Sequence, residues 1–223
     1  MLKLRVVKKF RVMLNLIGRY FRFRKIKKTF HDASFSVFSS NCVGCLMLHD
    51  IGAPFNSPFV NLYVEAKDYI KYLKNPQKYN QMEFVEIESD CNYPVGMLGD
   101  ITFHFVHYTS FEQAVSAFKR RVARINYDNL FVILSERDGC TYADLKEFDN
   151  LPYQNKVVFT HKPYNDILSS FYIEGFENNG FLGSIIDWDK KTGSRIYDRF
   201  DFINWFQAKS YTTRHPPQIT TAE

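Results

Sequence analysis

Apolar and polar positions in this chain follow two rhythms: short apolar runs of strand length, and longer stretches with the three-to-four spacing of helices. "SFSVFSS" (34–40) predicts a short apolar strand, and "NCVG" after it predicts a turn that feeds a helix or coil through Leu48. "FVNLYV" (59–64) reads as a second strand. "EAKDYIKYLKNPQKY" has helical spacing at Ala66, Tyr69, Ile70 and Leu73 and stops near Pro76. "MEFVEIE" (82–88) and "DITFHFVHY" (100–108) alternate as strands on either side of a Pro94 and Gly96 turn.

"TSFEQAVSAFKRRVARIN" is the clearest helical stretch, with Thr109 and Glu112 spaced as a capping box and Ala114, Ala117, Phe118 and Val122 as its inward stripe. "NLFVILS" (129–135) is the most strand-like run, and "KVVFTHK" (156–162) follows after a helix opened by Thr141. Strands alternating with helices predict an α/β fold: a mostly parallel sheet with helices on both faces, in a Rossmann-like three-layer arrangement. The expected organisation is a basic amphipathic segment over residues 1–30, one α/β domain over 31–209 and a disordered tail over 210–223.

Charge changes the picture at the N-terminus. The first 28 residues hold eleven Lys and Arg and no acid, so the net charge of +5 conceals an acidic body. The cations recur too often for a membrane span, which needs roughly 20 mostly apolar residues, and there is no signal-peptide pattern. Leu2, Val6, Phe10, Met13, Leu14, Ile17, Phe21 and Phe23 are spaced for an amphipathic helix lying on an anionic membrane surface. A leader that packs on its own domain is the plainer alternative. Nucleic acid is not the expected partner, since no recognised binding module follows the basic arm. Composition, at 45% hydrophobic and 17% aromatic, fits a folded chain, and four cysteines without a pairing pattern fit a reducing cytoplasm.

Candidate chemistry follows from the fold, because ligands of such sheets bind where strands end and helix N-termini begin. Two turns qualify: "SSNCVG", with Ser40, Asn41, Cys42 and Gly44, and "SERDGC", with Asp138 and Gly139. Cys42-x-x-Cys45 admits a redox pair, a zinc half-site with His49, or a nucleophile at Cys42, which would need a base within reach. His104 and His107 cannot both face Cys42 from one strand, because successive side chains alternate. Arg120 and Arg124 lie one helical turn apart and suit a phosphate. Asp187-x-Asp189 has the form with which a divalent cation, Mn or Mg, is held against a sugar-nucleotide diphosphate, although acid-x-acid recurs at Glu86, Glu88, Asp90, Glu147 and Asp149.

Taken together, "NCVG", "NSPFVNLYV", "YPVGMLGDITFHFVHYTSFEQAVSAFKRRVARINYDNLFVILSERDGCT", "FDNLPYQNKVVFTHKPY" and "DRFDFINWF" resemble a bacterial family known as domain of unknown function nineteen-nineteen, over about Phe35 to Phe206. Members are commonly labelled exopolysaccharide or capsule biosynthesis proteins, which implies a role in surface glycan assembly. They usually carry an aromatic residue and paired glycines after the Asn-Cys, where this chain has Val43, Gly44 and Cys45. The resemblance therefore shifts weight from the C-x-x-C to Asn41 and Cys42.

The combined expectation is a cytoplasmic transferase on the inner face of the plasma membrane, using a nucleotide sugar and a lipid-linked or glycan acceptor. Asn41–Cys42 and Asp138–Gly139 would line the donor cleft, Arg120 and Arg124 would hold phosphate, and His104 or Asp138 would serve as acid/base. The rival is a non-catalytic glycan- or partner-binding assembly factor of the same pathway.

Overall fold

The computed structural model describes residues 2–207; the tail expected at 210–223 lies outside them. Helix α1 (Leu2–Phe30) leads into β1 (Ser36–Ser39) and α2 (Val43–Ile51), followed by α3 (Ala66–Lys74) and α4 (Pro76–Asn80). Next come β2 (Phe84–Ile87), β3 (Val95–Leu98), β4 (Ile101–His104), α5 (Phe111–Val122) and β5 (Leu130–Ser135). The chain continues through α6 (Tyr142–Asp149), β6 (Asn155–Thr160), β7 (Ser170–Tyr172) and α7 (Phe202–Gln207).

Two sheets form. β1, β5, β6 and β7 make a four-stranded sheet, in that order and all parallel. β2, β3 and β4 make a separate antiparallel sheet. The α/β expectation holds at this level, but the strands expected at 82–88 and 100–108 leave the parallel sheet and pair with β3, which the sequence reads as a turn. Pro94 stands just outside β3, and Gly96 lies within it because a Cβ there would sit 2.6 Å from the Phe111 ring.

The expected strand 59–64 is an irregular segment whose Phe59, Leu62 and Val64 are buried. Its backbone breaks at Asn61, with φ of 63°, a conformation outside the strand region. What survives is one antiparallel bridge: Tyr63 and His104 exchange both backbone hydrogen bonds at 3.0 Å, and Val64 N–H donates to Ser40 O at 3.0 Å. This segment joins the antiparallel sheet to the carboxyl end of β1.

The parallel strands read as unbroken apolar runs because both their faces are covered. On β5, Leu130, Val132 and Leu134 enter a cluster with residues of α3, α5 and α6, while Phe131 and Ile133 enter a second with α1, α2 and α7. Each fully buried Phe or Leu of these clusters contributes about 1.5–3 kcal/mol. Side-chain caps set the starts of α5 and α6: Ser110, one residue beyond the expected Thr109, accepts from Gln113 N–H, and Thr141 with Asp144 forms a complete capping box.

The basic segment packs on the body. Phe23 and Phe30 of α1 are buried, Phe23 stacking on Phe202, so Phe23 belongs to the core rather than to an outward apolar face. Arg19 donates to Asp198 (2.6 and 3.0 Å) and to Asp50, tying α1 to α2 and to the turn before α7.

Candidate functional site

At the carboxyl end of β1 the chain turns sharply into α2. Ser39 Oγ accepts from Gly44 N–H at 3.2 Å and Asn41 Oδ1 accepts from Val43 N–H at 3.1 Å, which opens the helix. Gly44 is required by this approach, since a Cβ would meet Ser39 Cβ at 2.7 Å. Ser40 is buried, and its N–H continues the ladder to Ile133 O at 3.2 Å.

Asn41 and Ser135 each lie two residues beyond Ser39 and Ile133, the last paired residues of the two strands, where Ser40 O turns to accept from Val64 N–H. Ser135 is 2% exposed, and neither its Oγ nor the buried Asn41 Nδ2 has a hydrogen-bond partner among the described residues. Buried polar atoms are paired in the great majority of cases, so an orphan just after β1 and another at the end of β5 call for an explanation.

The second turn follows β5. Asp138 and Gly139 both take positive φ, 53° and 79°, so the Asp-Gly pair reverses the chain directly after β5. Arg137 Nε lies 3.0 Å from Asp138 Oδ2, though its N–H is not aligned for a hydrogen bond. Burial raises the Cys42 thiol above its ordinary range, and the positive charge of Arg137 only partly offsets this. A raised pKa keeps Cys42 a neutral thiol at neutral pH and removes the activation a cysteine nucleophile needs.

The histidine beside Cys42 is His107, whose Nε2 lies 3.7 Å from Sγ, and not His104. Strand alternation does not govern the pair, because β4 ends at His104 and residues 105–108 turn. His104 instead stacks on Tyr63, ring centroids 4.3 Å apart, with Nδ1 buried and unpartnered among the described residues. Burial lowers its pKa against the opposing pull of Glu65 and Asp68, which favours the neutral ring. Tyr93 meets His104 edge to face at 6.1 Å, and a groove of about 520 Å³ opens there, lined by Glu86, Glu88, Cys91, Tyr93 and Thr109 among others.

Arg120 and Arg124 are not brought to this edge. Arg120 is exposed and bonds Ser116, while Arg124 donates to Phe55 O at 3.1 Å. Two residues on, Asn126 bonds Ser34 and Ser36 at the amino end of β1, so these arginines lie toward the opposite end of the parallel sheet from Asn41 and Ser135. Asp187 is exposed. Burial pushes the Asp189 carboxyl up, but the Lys191 N–H and the Arg199 guanidinium, the latter at 3.1 Å, outweigh it and hold the pKa down. Both Asp189 oxygens are thus engaged, and no three His, Cys, Asp or Glu side chains gather as a cation site among the described residues. These donors do not fit a divalent metal. Cys45 is also committed elsewhere, its Sγ donating to Phe59 O at 3.1 Å and its pKa pushed up to about 12 by burial.

Sequence reasoning missed the residues directly after β5 and β6. Buried Glu136 accepts from His161 N–H at 2.9 Å, contacts His161 Nδ1 at 2.7 Å and accepts from the Tyr164 hydroxyl. A carboxylate that fixes one imidazole nitrogen leaves the other, Nε2, as the ring's remaining proton acceptor or donor. The signal was available: Glu136 and His161 are the first titratable residues beyond two continuous apolar runs, each one residue past a hydroxyl, Ser135 and Thr160.

Fold and site together define an α/β protein with unpartnered buried polar groups at the carboxyl ends of β1 and β5 in a parallel sheet. The chain belongs to the family described as Domain of unknown function (DUF1919), whose model matches residues 13–207. It is 40% identical over 198 residues to an uncharacterized protein of Haemophilus influenzae, covering 89% of this chain and 96% of that one.

Proposed function

We propose that this protein binds a nucleotide-activated sugar through its diphosphate at the carboxyl edge of β1 and β5, and transfers the sugar during surface glycan assembly. The observation that carries the reading is a pair of unpartnered buried groups, Asn41 Nδ2 just before α2 and Ser135 Oγ at the end of β5. Their donor hydrogens and the Arg137 guanidinium suit phosphate oxygens. The position agrees with a Rossmann-like layering, in which ligands sit beyond the carboxyl ends of the strands.

His107, exposed at the rim, takes the acid/base role expected of His104, and Cys42 serves as a neutral wall. The groove at Tyr93, with Glu86 and Glu88 as acceptors for hydroxyl groups, suits a glycan acceptor. The surface-glycan setting rests on the family resemblance alone.

The test is thermal-shift titration with a panel of nucleoside diphosphate sugars and with inorganic pyrophosphate, on the native protein and on Asn41→Leu and Arg137→Met. Stabilisation by a donor that both variants lose, with nucleoside diphosphate released when acceptor is added, supports the reading. Binding without any release assigns the protein to the rival class, a non-catalytic glycan- or partner-binding assembly factor. No stabilisation by any donor or by pyrophosphate overturns the phosphate site itself.

A further inference from the structure

Helix α1 has two apolar faces, and the body covers one of them. Phe23 and Phe30 are buried and Ile26 packs against the same core, while Arg19 on that side is locked to Asp50 and Asp198. On the far side Phe10, Met13, Leu14, Ile17, Tyr20 and Phe21 are each 46–62% exposed. At the pitch of an α-helix these six span an arc of about 120°, centred nearly opposite the packed face. Single exposed apolar residues need no explanation, but a continuous stripe of six large ones marks a docking surface.

Charge decides the occupant. Arg11, Arg22, Arg24, Lys25, Lys27 and Lys28 are exposed around and beyond the stripe. Among the described residues, the α1 cation that forms ion pairs is Arg19. A second copy of the chain seated on this stripe would bring two cation-rich helices together. An anionic headgroup layer instead neutralises the rim while the stripe enters the acyl boundary. No described helix is long and apolar enough to cross a membrane, which fits a helix that lies in the interface.

We propose that α1 docks the protein onto an anionic lipid surface, with Phe10, Met13, Leu14, Ile17, Tyr20 and Phe21 inserted and the flanking Lys and Arg at headgroup level. Because Arg19 and Phe23 clamp the opposite face to the body, the whole α/β unit is held in one orientation on the bilayer. The inference stands independently of the phosphate-site reading.

The test is co-sedimentation of the full chain with vesicles of phosphatidylcholine alone and of phosphatidylcholine with a one-third share of phosphatidylglycerol. Binding to the anionic vesicles only, weakened by added salt, is the expected result. The double variants Ile17→Ser with Phe21→Ser, and Arg24→Glu with Lys28→Glu, change exposed positions and leave the core intact. Each should lower the partition coefficient by roughly tenfold or more. Equal affinity of the native chain and both variants, or no binding to either vesicle, overturns the proposal. A concentration-dependent dimer abolished by Ile17→Ser with Phe21→Ser, in a protein that ignores vesicles, gives the stripe to a second copy instead.

Discussion

Cys42 Sγ and His107 Nε2 meet at 3.7 Å across 65 positions of sequence. The contact exists because the Tyr63–His104 bridge stitches the antiparallel sheet to the end of β1, so the turn after β4 arrives over the N-terminus of α2. Proximity does not activate the thiol, since burial dominates its surroundings.

The cysteines should therefore separate by reactivity. Cys91 is exposed, whereas burial raises Cys42 and pushes Cys45 and Cys140 up to about 12. At neutral pH iodoacetamide is expected to label Cys91 first and the other three slowly, the difference vanishing in denaturant. The buried thiols also bear on stability. A folded pKa above the ordinary 9.0 gives a contribution present below pH 9 and lost as pH rises beyond it. Fast labelling of Cys42 at neutral pH would restore it as a nucleophile.

His104 supplies the opposite slope. Burial depresses its folded pKa below 6.5, so its share of stability is complete above about pH 6.5 and is lost as pH falls through that value toward the folded pKa. His104→Phe keeps the stack on Tyr63 and removes the titration. Urea midpoints measured from about pH 7.5 to about pH 5.5 should fall less steeply in the variant than in the native protein. Parallel curves would mean that His104 titrates alike in both states.

Much of the fold was legible where burial is simple. β1, β5 and β6 are covered on both faces and announce themselves as apolar runs; Thr141 and Asp144 write their capping box into the sequence. The segment 59–64 misleads because its apolar residues are core residues without strand geometry, Asn61 having turned the backbone. β3 is hidden because the packing of Phe111 demands a glycine inside it. The turns at 39–44 and 135–140 followed from strand ends. The separation of Arg120 and Arg124 from them did not, because helical spacing tells which residues share a face and not which end of the sheet that face approaches.

Gly44→Ala tests the approach of α2 to β1. The new Cβ would meet Ser39 Cβ at 2.7 Å and Val37 Cγ1 at 3.1 Å, both on a buried strand that has little room to yield. A loss of about 1–3 kcal/mol is expected, together with weaker donor binding as Asn41, held to Val43 N–H, shifts with α2. Unchanged urea midpoints would show that α2 slides without cost.

Arg19 holds α1 to the body through two acids whose side chains are 14–16% exposed, Arg19 itself being 13% exposed. Arg19→Met leaves Asp50 and Asp198 facing each other without their cation and should cost about 3 kcal/mol. Adding Asp198→Asn should recover part of that loss, because the uncompensated charge and not the missing contact carries most of the penalty. A strictly additive double mutant would contradict this.

Ser135→Ala separates a ligand site from a structural hydroxyl. A buried hydroxyl whose oxygen has no partner among the described residues destabilises the ligand-free chain, so removing it should raise unfolding stability by up to about 1 kcal/mol. The same change removes a donor from the proposed diphosphate site, so the thermal shift produced by a nucleoside diphosphate sugar should shrink. The two effects have opposite signs and are read in one pair of melting curves, with and without donor. A structural hydroxyl predicts the reverse of the first, a fall in the ligand-free midpoint. Lower stability with an undiminished donor shift would return Ser135 to the core and leave Asn41 and Arg137 to carry the site.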